Sequence, residues 1–314
     1  MCMTRFVIHL PAHQLPGVRN GPADFYRLLE AALRRAGAEV ELRERAYLRA
    51  HDGFEGDAFH FVHQGLVELS NVLNTGPSYL QDFWYADPKG VFGMSSLYDM
   101  PFDPADVPPE RAVKFSGWLR ERLLDKRLSK HGQPVEHQRY PEGAIAVFLQ
   151  GESLPVRRAA YTDEVSMVKA LIAGRGARDV LIKRHPRNKA EESWPQIEDV
   201  VAQSDGVQIV DGNVHDILRD AALCASISSS VAVEAMLHGV PSLTFGRVDF
   251  HHCTQTVEEV SQVQDAMARA LKADWPFEPF LFWFFRQHSL DMRAKNWLDK
   301  LNKRLGAFQL SSLQ

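Results

Sequence analysis

The chain alternates unbroken apolar runs with segments in which apolar residues return every third or fourth position, the two periods of buried strands and amphipathic helices. RFVIHL predicts a strand from Phe6 to Leu10, and a polar loop, QLPGVRNGPAD, leads into a helix from Phe25 to Ala36. Gly37 sits where that helix should stop, and AEVELRER and DAFHFVHQG read as the next strands. The stretch 74–110 breaks the rhythm. It is dense in aromatics, Gly and Pro, which predicts a functional segment or a lid. An amphipathic helix over about 110–130 follows and is expected to bridge to a second unit.

Beyond the polar stretch HGQPVEHQRYPEG the rhythm restarts. AIAVFLQ is apolar throughout, as a strand covered on both faces of a parallel sheet must be. TDEVSMVKALIAG predicts a helix capped by Thr162, RDVLIKRHP a strand, and WPQIEDVVAQS a helix with proline in its first turn. VQIVDG, HDILRDA, LCASIS, SVAVEAMLHG and PSLTFG continue the alternation of strand and helix, with no hairpin signal. The fold class is therefore α/β with doubly wound, Rossmann-like parallel sheets. The expected domains are 1–140, 141–275, and a C-terminal helical segment, 276–314, that packs back across both. The aromatic FEPFLFWFFRQHSL in that segment reads as a core-docking helix in preference to one lying on a membrane.

Composition narrows the class. The 314 residues exceed what one core usually serves, and a formal net charge of −4 offers no basic excess for nucleic acid. Three cysteines in no C-x-x-C pair argue against a disulfide framework and for a reducing cytoplasm. The opening MCMTRFVIHLPAH lacks the features of a signal peptide, and no apolar run is long enough to span a bilayer. The expected location is the cytoplasm, free or at the inner membrane face.

In open parallel sheets ligands gather at the carboxyl ends of the strands. Three polar groups fall there in the second half: Gln150-Gly151-Glu152, the cationic run Lys183-Arg184-His185-Pro186-Arg187, and Ser228-Ser229-Ser230 at the start of a helix. A helix N-terminus with spare hydroxyls beside cations suits an anion, and a nucleotide phosphate is the natural guest. Lys183, His185, Arg187 and the serines are the candidate phosphate ligands. Glu234, one turn into the helix, is either an acceptor for a ribose or a solvated surface carboxylate. Glu152 is a candidate base; in the first half His13 and Asp24 are candidates for activating an acceptor, although Asp24 equally suits a helix cap. No phosphate-binding P-loop, G-x-S-x-G elbow, H-E-x-x-H or D-x-D pattern is present, and His251-His252-Cys253 lacks a second ligand pair, so no metal is expected.

AIAVFLQGE, SMVKAL, VLIKRHPRN, ASISSSVAVEAMLHGVPSLTFG and FLFWFFRQHSL, in that order, resemble the nucleotide-binding half of glycosyltransferases with the two-domain GT-B architecture. More narrowly they resemble the capsule polysaccharide biosynthesis family, which includes Kdo transferases and is related in plan to bacterial sialyltransferases. The resemblance spans roughly residues 144–290. It implies a cleft between two domains and a His-Pro pair, here His185 and Pro186, that holds the CMP part of a CMP-sugar together with two of Ser228, Ser229 and Ser230. It makes residues 1–140 the acceptor side and the partner a glycan or glycolipid, with a polysaccharide-assembly complex also open. It implies no cofactor beyond the nucleotide-sugar donor. Glu-Ala-Met-x-x-Gly-x-Pro also occurs in UDP-sugar enzymes, so a UDP-linked donor, a nucleotide-sugar 2-epimerase and a non-catalytic assembly subunit stand as alternatives.

Overall fold

The computed structural model describes residues 5–20, 24–45, 54, 56–151, 158–185 and 193–308. The chain divides into two units, Met1–Met100 with Phe285–Gln314, and Pro101–Phe284.

The first unit begins with β1 (Arg5–Leu10), α1 (Leu15–Asn20), α2 (Phe25–Arg35), β2 (Glu39–Glu44), β3 (Phe59–His63), β4 (Val72–Pro77) and β5 (Phe83–Asp87). Strand β1 lies parallel between β2 and β3, and β4 runs parallel to β3. Phe25, Leu29 and Leu33 recur at helical spacing on α2 and are buried against Phe6, Ile8 and Phe61 of the sheet. Segment 74–110 departs from expectation. Strands β4 and β5 form an antiparallel pair, with Thr75 opposite Ala86, which Gly76, Pro77 and the aromatics concealed. Burial of Val72 through Gly76 holds this sequence extended despite its weak strand propensity. Asp87 then organises the turns beyond: Oδ1 accepts from the backbone of Lys89, Gly90 and Ser96, and Oδ2 accepts from Ser96 Oγ at 2.6 Å.

The second unit contains α3 (Pro109–Leu123), β6 (Ile145–Phe148), α4 (Glu164–Gly174), β7 (Val180–Lys183), α5 (Trp194–Ala202), β8 (Val207–Val210), α6 (Val214–Arg219) and β9 (Leu223–Ser226). It continues with α7 (Val231–His238), β10 (Ser242–Thr244), β11 (Gln255–Thr256), α8 (Val263–Lys272) and α9 (Phe277–Leu281). Every strand pair here is parallel. Strands β6, β7 and β9 are buried along their whole length, as their continuous apolar runs predict. The division falls at residue 100 rather than 140. The reason is α3, which packs on α7 and α9 and pairs Arg120 with Glu278 at 2.7 Å. Helix α4 is capped by Asp163, not Thr162; the stronger carboxylate acceptor takes the Ser166 N–H at 2.8 Å.

After α9 the chain forms a π-helix, Phe282–His288, then β12 (Leu290–Asp291) and α10 (Trp297–Arg304). Strand β12 pairs antiparallel with β5, and Leu290, Leu301 and Leu305 enter the first unit's core. Of the expected tail, residues 276–284 belong to the second unit and the rest to the first. Its aromatic run is core: Phe280, Phe284 and Phe285 are fully buried.

The sheet orders are β12-β5-β4-β3-β1-β2 and β11-β10-β9-β6-β7-β8. In each, the chain leaves its first strand in one direction and later returns to the other side of it. The switch points therefore fall between β1 and β3 and between β6 and β9, the places where such sheets open a crevice at their carboxyl ends.

Candidate functional site

At the switch point of the second unit, Gln150 follows β6 and Ser228 follows β9. The Ser228 N–H donates to Gln150 Oε1 at 2.6 Å, and Gln150 Nε2 reaches back to Ser228 Oγ at 3.4 Å. The amide expected here is present, locked across the crevice. The backbone N–H groups of Gln150 and Gly151 both point at Glu164 Oε1, at 2.5 and 3.0 Å. Gly151 has φ 75°, a left-handed conformation that a glycine adopts freely. This turn after the first strand is where a βα unit often receives a phosphate, and the protein's own buried carboxylate fills it. The reach of Glu164 back to the strand end is a tertiary contact with no local pattern in the sequence. Glu152 lies outside the described residues.

The three serines do different work. Ser229 Oγ accepts from the Val231 N–H at 3.3 Å, a long capping bond, while the Ser229 N–H reaches Ser226 Oγ at 3.4 Å. Ser228 is held by Gln150. Ser230 is the residue at the N-cap of α7, and its hydroxyl makes no capping bond. All three are half-buried. One hydroxyl caps, one braces the switch point, and the third makes no capping bond.

Glu234 lies one turn below and is 3% exposed, which rules out the solvated surface carboxylate. Ser129 Oγ donates to its Oε1 at 2.8 Å, and among the described residues its buried Oε2 has no hydrogen-bond partner. Burial raises its pKa from 4.5 to about 7, against the opposing hydrogen bond from Ser129 and the charge of Lys130.

The cationic run is largely redirected. Lys183 is 8% exposed, and its Nζ donates to the carbonyls of Asp211 and Gly212 at 2.9 and 2.5 Å, with burial lowering its pKa. A buried ammonium is satisfied by the nearest carbonyls, so it braces the β8–α6 connection instead of presenting a charge to a phosphate. Arg184 stacks on Trp194 at 4.5 Å. His185 stays at the strand end, half-buried, its ring 5.1 Å from His131 and nearly perpendicular to it. Pro186 and Arg187 lie outside the described residues.

His131 belongs to a segment, 124–140, of which the sequence assigned the first part to the helix over about 110–130 and the rest to the polar stretch HGQPVEHQRYPEG; the helix ends at Leu123. The segment instead runs along the carboxyl edge of the second unit's sheet. Arg127 pairs with the buried Asp216 at 2.8 Å, Ser129 with Glu234, His131 with His185, and Gln133 Oε1 takes the Val214 N–H at 3.2 Å. The contacts of the segment were missed because its partners are distant in sequence and leave no local pattern. The structure thus brings Gln150, Ser228, Ser229, Ser230, His185 and Glu234 to one edge and adds Ser129 and His131.

In the first unit the two residues expected near an acceptor lie on the segment after β1. Asp24 is exposed and caps α2, accepting from the Arg27 N–H at 2.9 Å. His13 sits exposed in the turn after β1. Among the described residues there is no group of three or more His, Cys, Asp or Glu side chains that could hold a metal ion, and no helix long and apolar enough to cross a membrane.

No protein-family model matches the chain, and no curated protein sequence does. Solved structures do resemble it. One is Thermosulfurimonas dismutans KpsC, beta Kdo 2,4 transferase, with a TM-score of 0.54, 16% identity and 89% of each chain covered. Another is the beta Kdo 2,7 transferase of KpsC from the same organism, with a TM-score of 0.53, 13% identity and 88% of each chain covered. The fold is GT-B-like. At such identities the likeness extends to the two α/β units and their sheets, and no further.

Proposed function

We propose that the protein is a metal-independent glycosyltransferase. Its donor is a nucleotide sugar, CMP-linked in preference to UDP-linked, and the group moved is Kdo or a related acidic sugar. The acceptor is a surface polysaccharide or a glycolipid. The carrying observation is the carboxyl edge of the second unit's sheet, where Ser230 heads α7 after β9, Glu234 is buried one turn below, and His185 ends β7 against His131. When the bond from the anomeric carbon to the phosphate breaks, its electron pair stays on the phosphate. In this reading the N–H groups of α7, the Ser230 hydroxyl and the His185 ring donate to that growing charge. In this reading Glu234, buried one turn below the serines, is the acceptor for the hydroxyls of the nucleoside ribose. The fold shared with Kdo transferases supports the reading. Cys224 and Cys253, both buried free thiols, suit work in the cytoplasm, free or at the inner membrane face.

A thermal-shift panel with CMP, UDP, GDP and ADP tests it. CMP should stabilise the folded chain, by about 2.7 kcal/mol at a hundredfold excess over its dissociation constant. His185→Ala should lose most of that response. Stabilisation by UDP alone would move the donor to the UDP-sugar class, and silence from all four nucleotides would sink the proposal.

A further inference from the structure

The first unit's switch point, between β1 and β3, carries a polar cluster that the proposed donor site does not use. His63 is the last residue of β3, 5% exposed, and Gln14 Nε2 approaches its Nε2 to 3.3 Å from the turn after β1. On the other side of the ring, Nδ1 lies 2.7 Å from the Tyr26 hydroxyl, which is 2.9 Å from Thr75 Oγ1 on the neighbouring β4. With the Gln14 amide nitrogen donating, the bonding order is determined: His63 Nε2 accepts, Nδ1–H donates to Tyr26, and Tyr26 donates to Thr75. The backbone here is built tightly. Gln64 adopts φ 46°, a left-handed conformation unusual for a residue other than glycine, while its N–H bonds Thr75 O at 2.6 Å. A Cβ on Gly65 would meet Asn74 Oδ1 at 2.1 Å. Such a turn holds the ring in place.

Burial holds His63 neutral, lowering its pKa from 6.5 to about 4, with the nearby Arg45 guanidinium adding to the effect. The ring is therefore a fixed acceptor, too weak a base to hold a proton near neutrality. The bond from Gln14 is long and half-exposed, so a ligand can replace it at little cost. A hydroxyl suits the gap because it can donate to Nε2 and accept from the Gln14 amide at once; an ionised phosphate oxygen has no proton to give Nε2.

We propose that Gln14 and His63 bind a hydroxyl of a neutral carbohydrate, with Tyr26 and Thr75 as positioning residues that orient the ring. The ligand class, an acceptor glycan, rests on the transferase reading; the hydroxyl chemistry does not. The full chain, labelled with 15N-histidine, is titrated with the methyl glycosides of D-glucose, D-galactose and D-mannose at millimolar concentration. The His63 Nε2 resonance is followed, with CMP-induced stabilisation measured on the same samples. At least one glycoside should shift that resonance saturably. Gln14→Ala, a change at a half-exposed side chain, should weaken the response about fivefold, the loss of one hydrogen bond, and leave the CMP response unchanged. Tyr26→Phe should alter the tautomer signature of the ring. The proposal is overturned by silence from all three glycosides, by a response that survives Gln14→Ala, or by a His63 ring that titrates near 6.5. Loss of the CMP response beside an intact glycoside response would overturn the transferase reading and leave this site standing.

Discussion

Each unit places a glutamine just past its first strand, Gln14 after β1 and Gln150 after β6, and each side chain spans its switch point. Their company differs. Gln150 meets a serine at the head of a helix, with the Glu164 carboxyl group already seated on the adjacent N–H groups. Gln14 meets a neutral imidazole backed by two hydroxyls. The same sheet geometry therefore presents donors suited to a phosphate in one unit and a donor–acceptor pair suited to a hydroxyl in the other. The topology sets where a ligand can enter, and the residues after each strand set what it is.

Acid should break the comparison most strongly. In the first unit burial is the leading cause that lowers His9 to about 3 and His60, His63 and His288 each to about 4. Their folded pKa values lie below the unfolded value of 6.5, so the unfolded chain binds more protons as pH falls through this window. Stability is full above about pH 6.5 and declines toward pH 4, by up to about 3 kcal/mol per histidine. The second unit also has His238 at about 4 and His215 lowered, but fewer such groups. Hydrogen exchange at pH 5 should expose β1 and β3 while β6 and β9 stay protected, and equal loss in both units would contradict the assignment.

Glu234 acts with the opposite sign. Its folded pKa of about 7 exceeds 4.5, so the folded chain keeps a proton that the unfolded chain releases, and stability is lost as pH rises between those values. Glu234→Gln should stabilise by up to about 3 kcal/mol at pH 8 and change little at pH 4. A pH-independent effect in urea melts would show that the carboxyl is not strained. Glu164→Ala should cost about 2 kcal/mol by leaving the Gln150 and Gly151 N–H groups without their acceptor, read as a lower Tm. Smallest is the pair Ser229→Ala with Ser230→Ala, which should weaken CMP about tenfold in calorimetry yet alter stability by less than about 1 kcal/mol. Unchanged affinity would reduce these serines to caps.

The second unit was legible because buried parallel strands are unbroken apolar words: Ile145–Phe148, Val180–Lys183 and Leu223–Ser226 appear where the pattern puts them. The pair β4–β5 was not, since Gly76 and Pro77 mark turns locally and only burial keeps them extended. The position of the serine triplet and His185 past strand ends was legible because the apolar runs before them mark the strands. Lys183 was not, because a cation at a strand end reads the same whether it faces a ligand or two carbonyls. His63 stayed hidden in DAFHFVHQG, where nothing local distinguishes a ring pointing at Tyr26 from one in solvent. Contacts across dozens of residues, such as Ser129 with Glu234 and His131 with His185, leave no periodic trace.

The return of the chain to the first unit bears on the order of assembly during synthesis. Residues 101–284 form one continuous stretch, so the second unit has all its strands before the ribosome reaches residue 285. The first unit must wait. Until Leu290 and Asp291 emerge, β5 is an uncovered sheet edge, and until Leu301 and Leu305 arrive the core beside Phe59 and Phe61 stays open. The N-terminal strands are made first and completed last, a long interval in which an unpaired edge is exposed to other chains.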